Sequence, residues 1–184
     1  MALSDDEGYD AMLKIGVISD THIRHVINYV GFLEVLDRKV FRHVDMILHA
    51  GDLVDQELLY IFEPRIIHAV RGNMDPPSVS FPSRKVLEVE VYRIGLIHGW
   101  GPPEGLGPRM AAEFATDDLD CLVYGHSHLP DCCRYEGLLL FNPGSATSPR
   151  GGYSPSVGLL EVDETGIRGS ILSLEGENFG SNIG

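Results

Sequence analysis

Two histidines follow a glycine in the segment Gly125-His126-Ser127-His128, directly after the apolar run 121–124. A strand that ends in such a pair is typical of a metal site at the carboxyl edge of a sheet. Within a loop, the backbone can turn each imidazole toward a different ion. Alone, the segment is equally compatible with a surface loop, because short motifs also arise by chance. Its weight depends on whether similar clusters recur along the chain.

Similar clusters do recur, each at the end of a short apolar run. Upstream of the two histidines they contain Asp20, His22, Asp52, Asn73 and His98. The whole set offers oxygen and nitrogen donors without a thiolate, which suits manganese, iron, zinc, cobalt or nickel rather than a cysteine-bound structural zinc. The set is too large for one tetrahedral ion, but it suits two ions roughly 3.5–4 Å apart that share one carboxylate.

The elements that must position these side chains follow from the hydrophobic pattern. Short apolar runs predict buried strands, and an apolar stripe with helical spacing predicts a helix over Gly31–His43. A second helix over Gln56–Phe62 should end before Pro64. Further strands are predicted over 85–92 and 94–97, followed by a short helix near 110–114 and hairpins over 132–141 and 156–174. Parallel units followed by hairpins predict two mixed sheets packed face to face, with helices outside.

Five motifs in order then resemble those of the calcineurin-like metallophosphoesterases. They are Asp20-x-His22, Gly51-Asp52, Gly72-Asn73, His98-Gly99 and Gly125-His126-x-His128. The match spans about Lys14 to Val162, and Asn142-Pro143-Gly144-Ser145 with Arg150 looks like the small prokaryotic phosphodiesterase branch. The eukaryotic retromer subunit is a cousin of that branch. The resemblance implies a four-layer α/β-β/α sandwich of two mixed sheets flanked by helices.

The resemblance also implies a role for each ligand and a reaction. Asp20, His22, Asp52 and His128 would hold the first of two divalent ions, and the second would be held by Asp52 as a bridge with Asn73, His98 and His126. Manganese is the expected metal, with nickel, zinc, iron, cobalt or magnesium as alternatives. A hydroxide between the ions would attack a phosphodiester in line, with Asp52, Asn73 and His98 as the residues carrying catalysis.

Two positions depart from the family pattern. Many members carry a histidine after the Gly-Asn pair as general acid, and here that position is Met74, which cannot donate a proton. We expect Asp75 to be an orienting carboxylate, and we expect the enzyme to favour good leaving groups. The second departure is Trp100, where close relatives often have a histidine. Trp100 would either form part of the wall of the substrate pocket or belong to the hydrophobic core.

Other residues are weaker candidates for the site. Arg24 and Arg150 are predicted to reach a substrate phosphate, since a guanidinium suits that geometry. His49 is predicted to be a satisfied buried histidine, with support of the metal ligands as the alternative reading. Ser145 has no partner that would make it a nucleophile, and we expect it to shape the turn beside the site.

Composition limits the remaining choices. The chain has 184 residues, enough for one domain, and a net charge of −13, which disfavours stable nucleic-acid complexes. Three cysteines form no disulfide framework, and no apolar run is long enough to span a membrane. We therefore expect a cytoplasmic chain acting on a small phosphodiester, with no membrane attachment and with homo-oligomerisation left open. Residues 1–11 are predicted to be a disordered extension, 12–175 one domain, and 176–184 a frayed tail.

Two alternatives to the phosphodiesterase stay open. A non-catalytic scaffold of the same fold would use it as a protein-binding surface, but a scaffold is free to lose ligands and here every ligand position is filled. A phosphomonoesterase or nuclease would differ only in the substrate pocket.

Overall fold

The computed structural model describes residues 12–175, and the two predicted disordered ends, 1–11 and 176–184, lie outside the described residues. The strands are β1 (Leu13–Ile18), β2 (Met46–His49), β3 (Ile66–Ala69), β4 (Arg84–Val89), β5 (Tyr92–Ile97), β6 (Cys121–Val123), β7 (Pro130–Tyr135), β8 (Leu138–Pro143), β9 (Ser156–Asp163) and β10 (Gly166–Ser173). The helices are α1 (Val30–Lys39), α2 (Leu106–Ala112) and two 3-10 helices, Val26–Asn28 and Gln56–Phe62.

The first sheet has the order β10-β9-β1-β2-β3. Its strands β1, β2 and β3 run parallel, and the final hairpin β9-β10 joins β1 in the antiparallel sense. Ile18 pairs with His49, and His49 pairs with Ala69, so the three parallel strands end level with one another. The segments that follow them therefore leave the sheet at one edge.

The second sheet has the order β4-β5-β6-β8-β7. Here β5, β6 and β8 are parallel, while β4 and β7 are antiparallel edge strands. At the shared edge the amide of Gly125, after β6, donates to the carbonyl of His98, after β5, at 2.9 Å. The loops after β5 and β6 thus stay together beyond the end of the sheet.

Three apolar clusters separate four layers. The central cluster joins Val17 of β1 to Leu96 of β5 and Phe141 of β8, which places it between the two sheets. Outside the first sheet, α1 and the 3-10 helix Gln56–Phe62 pack on residues such as Ile47. Outside the second sheet, α2 packs through residues such as Met110. The prediction of a four-layer sandwich of two mixed sheets flanked by helices is confirmed.

Some boundaries differ from the predicted ones. The first helix ends at Lys39, and the segment Gln56–Phe62 is a 3-10 helix, capped by Asp55, whose carboxylate accepts from the Glu57 amide at 3.1 Å. The strand predicted over 85–92 is two strands of a hairpin, because the chain turns at Glu90, which has a φ of 54°. Across residues 12–175, none of the helices combines the length and apolar character that a membrane span needs.

Candidate metal centre

All seven predicted ligands lie at the common carboxyl edge of the two sheets. Backbone hydrogen bonds join the loops that carry them, since Asp20 N donates to Gly51 O at 3.1 Å and His22 N donates to Asp52 O at 3.0 Å. The second sheet is tied to the first because His126 N donates to the Asp20 carboxylate at 3.0 Å. The site exists only where the loops of both sheets meet.

Five of the seven residues have left-handed backbone conformations. The φ angles are 51° at Asp20, 47° at His22, 57° at Asp52, 71° at His126 and 61° at His128. Non-glycine residues rarely adopt such angles, and each costs about 1–3 kcal/mol that the surrounding structure must offset. Strain of this kind concentrates at functional sites, and here it turns the side chains inward instead of letting them alternate along a strand.

The first group of donors consists of Asp20, His22 and His128. The His128 Nε2 atom lies 3.4 Å from Asp20 Oδ1 and 3.1 Å from His22 Nε2, and the His22 Nε2 atom lies 3.9 Å from Asp20 Oδ1. Asp20 is fully buried and His128 is nearly so. Their donor atoms are near enough to one another to hold a single ion.

The second group is built around His98. Its Nε2 atom lies 3.4 Å from Asp52 Oδ2 and 3.2 Å from Asn73 Oδ1. The Asn73 oxygen is in turn 3.1 Å from His126 Nδ1. Asp52 Oδ2 also lies 3.7 Å from His22 Nε2 of the first group, the position expected of a bridging carboxylate. Asp20 Oδ1, at 4.0 Å from His98 Nε2, stands between the two groups as well.

Backbone carbonyls fix the imidazoles with their lone pairs pointing into the site. A carbonyl oxygen only accepts, so His98 Nδ1 must donate to Ala50 O at 2.7 Å, and His128 Nδ1 must donate to Ser148 O at 2.5 Å. His126 Nε2 likewise donates to Gly101 O at 3.1 Å. In the neutral rings the other nitrogen is therefore an unprotonated acceptor, and this is how metal-binding histidines are oriented in proteins.

The donor set fits divalent cations. The unprotonated nitrogens face carboxylate and amide oxygens at 3.1–3.4 Å, so acceptor faces acceptor unless a cation lies between them. Asp20 Oδ1 is buried and has no hydrogen-bond partner among residues 12–175. A buried unpaired carboxylate oxygen is costly without a charge partner, and a cation would supply one.

The pKa values follow from burial and mutual charge. Burial raises the pKa of Asp20 to about 6, against the opposing effect of His98. Burial, together with the weaker effect of the Arg150 charge, lowers the pKa of His128 to about 4 against the opposing effect of its hydrogen bond to Ser148. For His98 burial acts downward, but the hydrogen bond to Asp52 and the charges of both aspartates raise its pKa above the usual value. Binding of a metal ion at this cluster would therefore be coupled to the loss of protons from its ligands.

Asp75 is an orienting carboxylate, as predicted. It is buried and accepts three backbone amides: Asp52 N at 2.9 Å, Gly72 N at 2.7 Å and Val54 N at 2.7 Å. These bonds join the loop of Asp52 to the loop that carries Asn73. With all these acceptor positions used by amides, Asp75 is positioned to fix the loops rather than to donate a proton.

His49 agrees with both predicted roles, a satisfied buried histidine and a support for the metal ligands. It is fully buried, and burial lowers its pKa to about 3, so the ring is neutral. Its Nδ1 accepts from Gly51 N at 3.2 Å, and its Nε2 contacts the Thr21 hydroxyl at 3.3 Å. The histidine is thus a satisfied buried ring that also connects the loop of Asp20 and His22 to the loop of Asp52.

Residues at the end of β8 and just after it support the site from behind, and the sequence analysis did not predict their contacts. The Ser145 hydroxyl donates to Asp20 O at 2.6 Å, and the Thr147 hydroxyl donates to Thr21 O at 2.6 Å. Asn142 donates to Gly125 O at 2.9 Å. The predicted turn role of Ser145 is correct but incomplete. No local pattern marks these contacts, because Ser145 and Asp20 are 125 positions apart in the chain.

Two glycines are required by close approach. A Cβ at Gly125 would lie 2.0 Å from Ser19 Oγ and 2.7 Å from Asp20 Oδ2, and one at Gly72 would lie 2.2 Å from Asp52 Oδ1. Each glycine precedes a predicted ligand. The Gly-His and Gly-Asn pairs in the sequence therefore mark places where one ligand loop touches another.

A cavity of about 450 Å³ opens over the centre. Its wall combines five of the predicted ligands with Met74 and Arg150, and those ligands are His22, Asp52, Asn73, His126 and His128. The Met74 amide donates to Asp52 Oδ1 at 2.7 Å, while its side chain is 50% exposed. Arg24 is exposed and is not part of this wall, so of the two predicted phosphate-binding arginines the structure brings only Arg150 to the site.

Trp100 is not part of the core, because 52% of it is exposed. It lies beside the centre, two residues after His98, and forms part of a second, smaller cavity that also contains Asn73 and His98. Of its two predicted placements, the one at a pocket wall matches the structure.

A four-layer sandwich with this cluster at its carboxyl edge defines a phosphoesterase-type metal site, and the comparisons with known proteins agree. The sequence model of the calcineurin-like phosphoesterase superfamily domain, which describes the family as a whole, matches residues 13–165 of the chain. A probable metallophosphoesterase from Methanothermobacter thermautotrophicus is 38% identical over 162 residues, which cover 87% of this chain and 92% of that protein. The chain belongs to the calcineurin-like phosphoesterase superfamily.

Solved structures share the same fold. A predicted phosphoesterase from Streptococcus pneumoniae has a TM-score of 0.69 at 28% identity, over 89% of this chain and 90% of its own. Vps29 from Chaetomium thermophilum has a TM-score of 0.67 at 26% identity, over 87% and 97%. A structure described as a novel archaeal phosphodiesterase has a TM-score of 0.66 at 23% identity, over 87% and 100%, and at that identity it supports the fold alone.

Proposed function

We propose that the protein is a metal-dependent phosphodiesterase that hydrolyses a small phosphate diester at a centre of two divalent ions. The observation that carries the proposal is the convergence of unprotonated nitrogens and carboxylate oxygens around the unpaired Asp20 Oδ1. Two bound divalent ions would supply an activated water and neutralise charge on the phosphoryl oxygens. Manganese is the proposed metal, and the cytoplasm is the proposed location.

The chain's own residues have separable roles in this reaction. Asp52 stands between the two groups of donors, and its second oxygen is held by the Met74 amide at 2.7 Å, which fixes the carboxylate plane. Asn73 and His126 form the part of the centre that is open to solvent. Arg150, on the wall of the same cavity, is placed to pair with a non-bridging phosphate oxygen.

The preference for a diester rests on the absence of a proton donor near the leaving group. The position after Asn73 is Met74, and its neighbour Asp75 is occupied with three backbone amides. A leaving group would therefore depart with little help from protein side chains, so esters with acidic leaving groups should react fastest. Monoester or nucleic-acid hydrolysis on the same centre is the alternative within the enzyme class.

The second candidate is a binding scaffold without catalysis, a role compatible with the fold. The strained left-handed backbones at five predicted ligands favour the enzyme, since a binding surface elsewhere on the fold gains nothing from that cost.

The test is hydrolysis of bis(p-nitrophenyl) phosphate beside p-nitrophenyl phosphate by chelator-treated protein. Manganese, nickel, zinc and magnesium are added back one at a time, and Asp52→Asn serves as the blank. Metal-restored cleavage of the diester, faster than that of the monoester and absent from the variant, supports the proposal. If the protein binds ions by elemental analysis and cleaves neither ester with any of them, the scaffold function replaces it.

A further inference from the structure

A second cavity of about 250 Å³ lies on the other side of the candidate centre. Asn73 forms part of both cavities, and His98 forms part of the second, so the two spaces meet at the predicted ligands. The rest of the second wall includes Arg71, Arg84, Trp100 and Glu113. A molecule bound at the centre can therefore extend into either space. A phosphodiester has two ester substituents, called its arms below, and each space can take one of them.

The two arginines of the second cavity differ in their partners. Arg84 donates to the Asp117 carboxylate at 3.1 Å and to Glu113 O at 2.6 Å, and it lies over the Phe114 ring. Arg71 is exposed, and within residues 12–175 no carboxylate forms an ion pair with its guanidinium. Arg71 is thus the cation that remains available to an anionic group.

Trp100 is held in place by Arg109. The Arg109 guanidinium carbon lies 5.3 Å from the centre of the indole ring, and Arg109 donates to the carbonyls of Trp100 at 3.1 Å, Glu104 at 3.3 Å and Pro102. The Gly101 carbonyl of this loop accepts from His126 Nε2 at 3.1 Å. A rigid, half-exposed aromatic surface is therefore fixed next to the centre, ready to stack on a planar group.

We propose that the second cavity binds one arm of the diester, and that this arm is a planar aromatic group carrying a further negative charge, as in a nucleotide. The planar group stacks on Trp100, and the additional anion pairs with Arg71. The Glu113 carboxylate on the same wall is an acceptor for hydroxyl or amino hydrogens of the arm. This inference rests on the proposed phosphodiesterase and specifies its class of substrate.

The size of the cavity agrees with this assignment. Sites for complete small ligands usually measure about 300–1,000 Å³, so a space of about 250 Å³ suits one ring system rather than a whole substrate. The chain has a net charge of −13, so most of its surface repels anions. An unpaired arginine next to the centre should therefore be a preferred binding position for an anionic group.

A binding test uses the fluorescence of Trp100, the single tryptophan of the chain. Adenosine 5′-monophosphate, adenosine and ribose 5-phosphate are titrated into magnesium-loaded and into metal-free protein. We expect the nucleotide to quench the emission most, adenosine to quench it weakly, and ribose 5-phosphate to have no effect. Arg71→Ala should raise the dissociation constant of the nucleotide about 10-fold and leave that of adenosine unchanged. Arg42→Ala, an exposed arginine before β2 at the opposite end of the sheet, is the matched control.

A kinetic test compares two diesters with the same leaving group, phenyl p-nitrophenyl phosphate and methyl p-nitrophenyl phosphate. Stacking on an aromatic side chain should make kcat/KM about 10-fold higher for the phenyl ester. Trp100→Ala should lower kcat/KM for the phenyl ester about 10-fold, so that the ratio between the two esters falls to about one, and Trp100→Tyr should restore part of that ratio. Tyr60→Ala, an exposed aromatic on the 3-10 helix Gln56–Phe62, should change neither rate.

The two tests separate this inference from the proposed function. Quenching that depends on Arg71, without hydrolysis of either ester, supports the subsite and rejects the phosphodiesterase. Hydrolysis with equal rates for the two esters, and with Arg71→Ala and Trp100→Ala behaving like their controls, overturns the subsite and leaves the phosphodiesterase standing.

Discussion

The two halves of the candidate centre differ in how they are enclosed. Asp20 and His128 are 0% and 4% exposed, and together with His22 they have left-handed backbones. On the other side, Asn73 is exposed and His126 is half-buried, and both face open cavities. His22 and His128 of the first half also line the larger cavity, but the exposed Asn73 makes the second half the more accessible to substrate. A fixed set of donors beside an exchangeable one is suited to keeping one ion resident while the other side takes part in binding substrate.

The largest effect is expected from neutralising Asp20, whose Oδ1 atom lies near donors of both halves. Asp20→Asn should remove both ions and lower metal-dependent hydrolysis on the order of 10³-fold. Because burial raises the pKa of Asp20 to about 6, its charge is costly in metal-free protein, so the variant should melt no lower than the metal-free parent. Elemental analysis and thermal unfolding check the two statements. A variant that keeps two ions would show that Asp20 is not shared.

A steric change should show how tightly the loop of His126 and His128 packs against Asp20. Gly125→Ala places a Cβ 2.0 Å from Ser19 Oγ, so we expect a loss of about 2–3 kcal/mol in the free energy of unfolding. Gly31→Ala in α1 is the matched control, because its Cβ would meet nothing within 4 Å. It should be neutral or slightly stabilising, since alanine favours helices. Denaturant unfolding of both variants measures the difference, and equal stabilities would contradict the packing argument.

Metal titration should show whether the two halves of the centre bind their ions with different affinities. We expect two ions to bind with dissociation constants that differ by about tenfold or more, since the enclosed half has the firmer supporting hydrogen bonds. His126→Ala should eliminate the weaker step, and His128→Ala should eliminate the tighter one. Calorimetry on chelator-treated protein resolves the steps. Two equal affinities, or the reverse assignment of the two variants, would mean that enclosure does not set affinity.

The smallest expected effect concerns the open half. Met74 is half-exposed on the cavity wall, with its amide fixed by Asp52, so a side chain there can reach bound substrate. Met74→His should raise turnover several-fold on diesters with poor leaving groups, short of the 10²–10⁴-fold of an evolved general acid. Rates across leaving groups of graded pKa provide the measurement. A uniform change, or a loss, would show that proton donation does not limit the reaction.

The sequence predicts the fold and the clustering of the ligands because both depend on local patterns. An apolar run such as 14–19, followed by Asp20 and His22, specifies a strand and the polar end of that strand at once. Parallel strands then bring those ends to one edge, and the register of β1, β2 and β3 makes them level. The ordered motifs supply the rest through the family resemblance.

The remaining parts of the site were not predictable because they depend on distant contacts. Nothing local marks Thr147 as a partner of Thr21, or Arg71 as the neighbour of Trp100 across a cavity. Arg24 shows the converse case, since it follows a ligand motif closely but does not line the cavity. Closeness in sequence predicts the loop on which a residue lies, and the direction of its side chain depends on how that loop packs.

The pairing of β1 with β9 has a consequence for synthesis of the chain. Leu13 pairs with Val162 and Val17 pairs with Gly158, so β1 is synthesised well before β9, the strand that pairs with it. Until β9 arrives, β1 lacks one neighbour, and Ser145 is not in place behind Asp20. A nascent chain therefore presents scattered histidines and aspartates but no finished chelate. We therefore expect metal to bind the complete centre only after β9 has been synthesised.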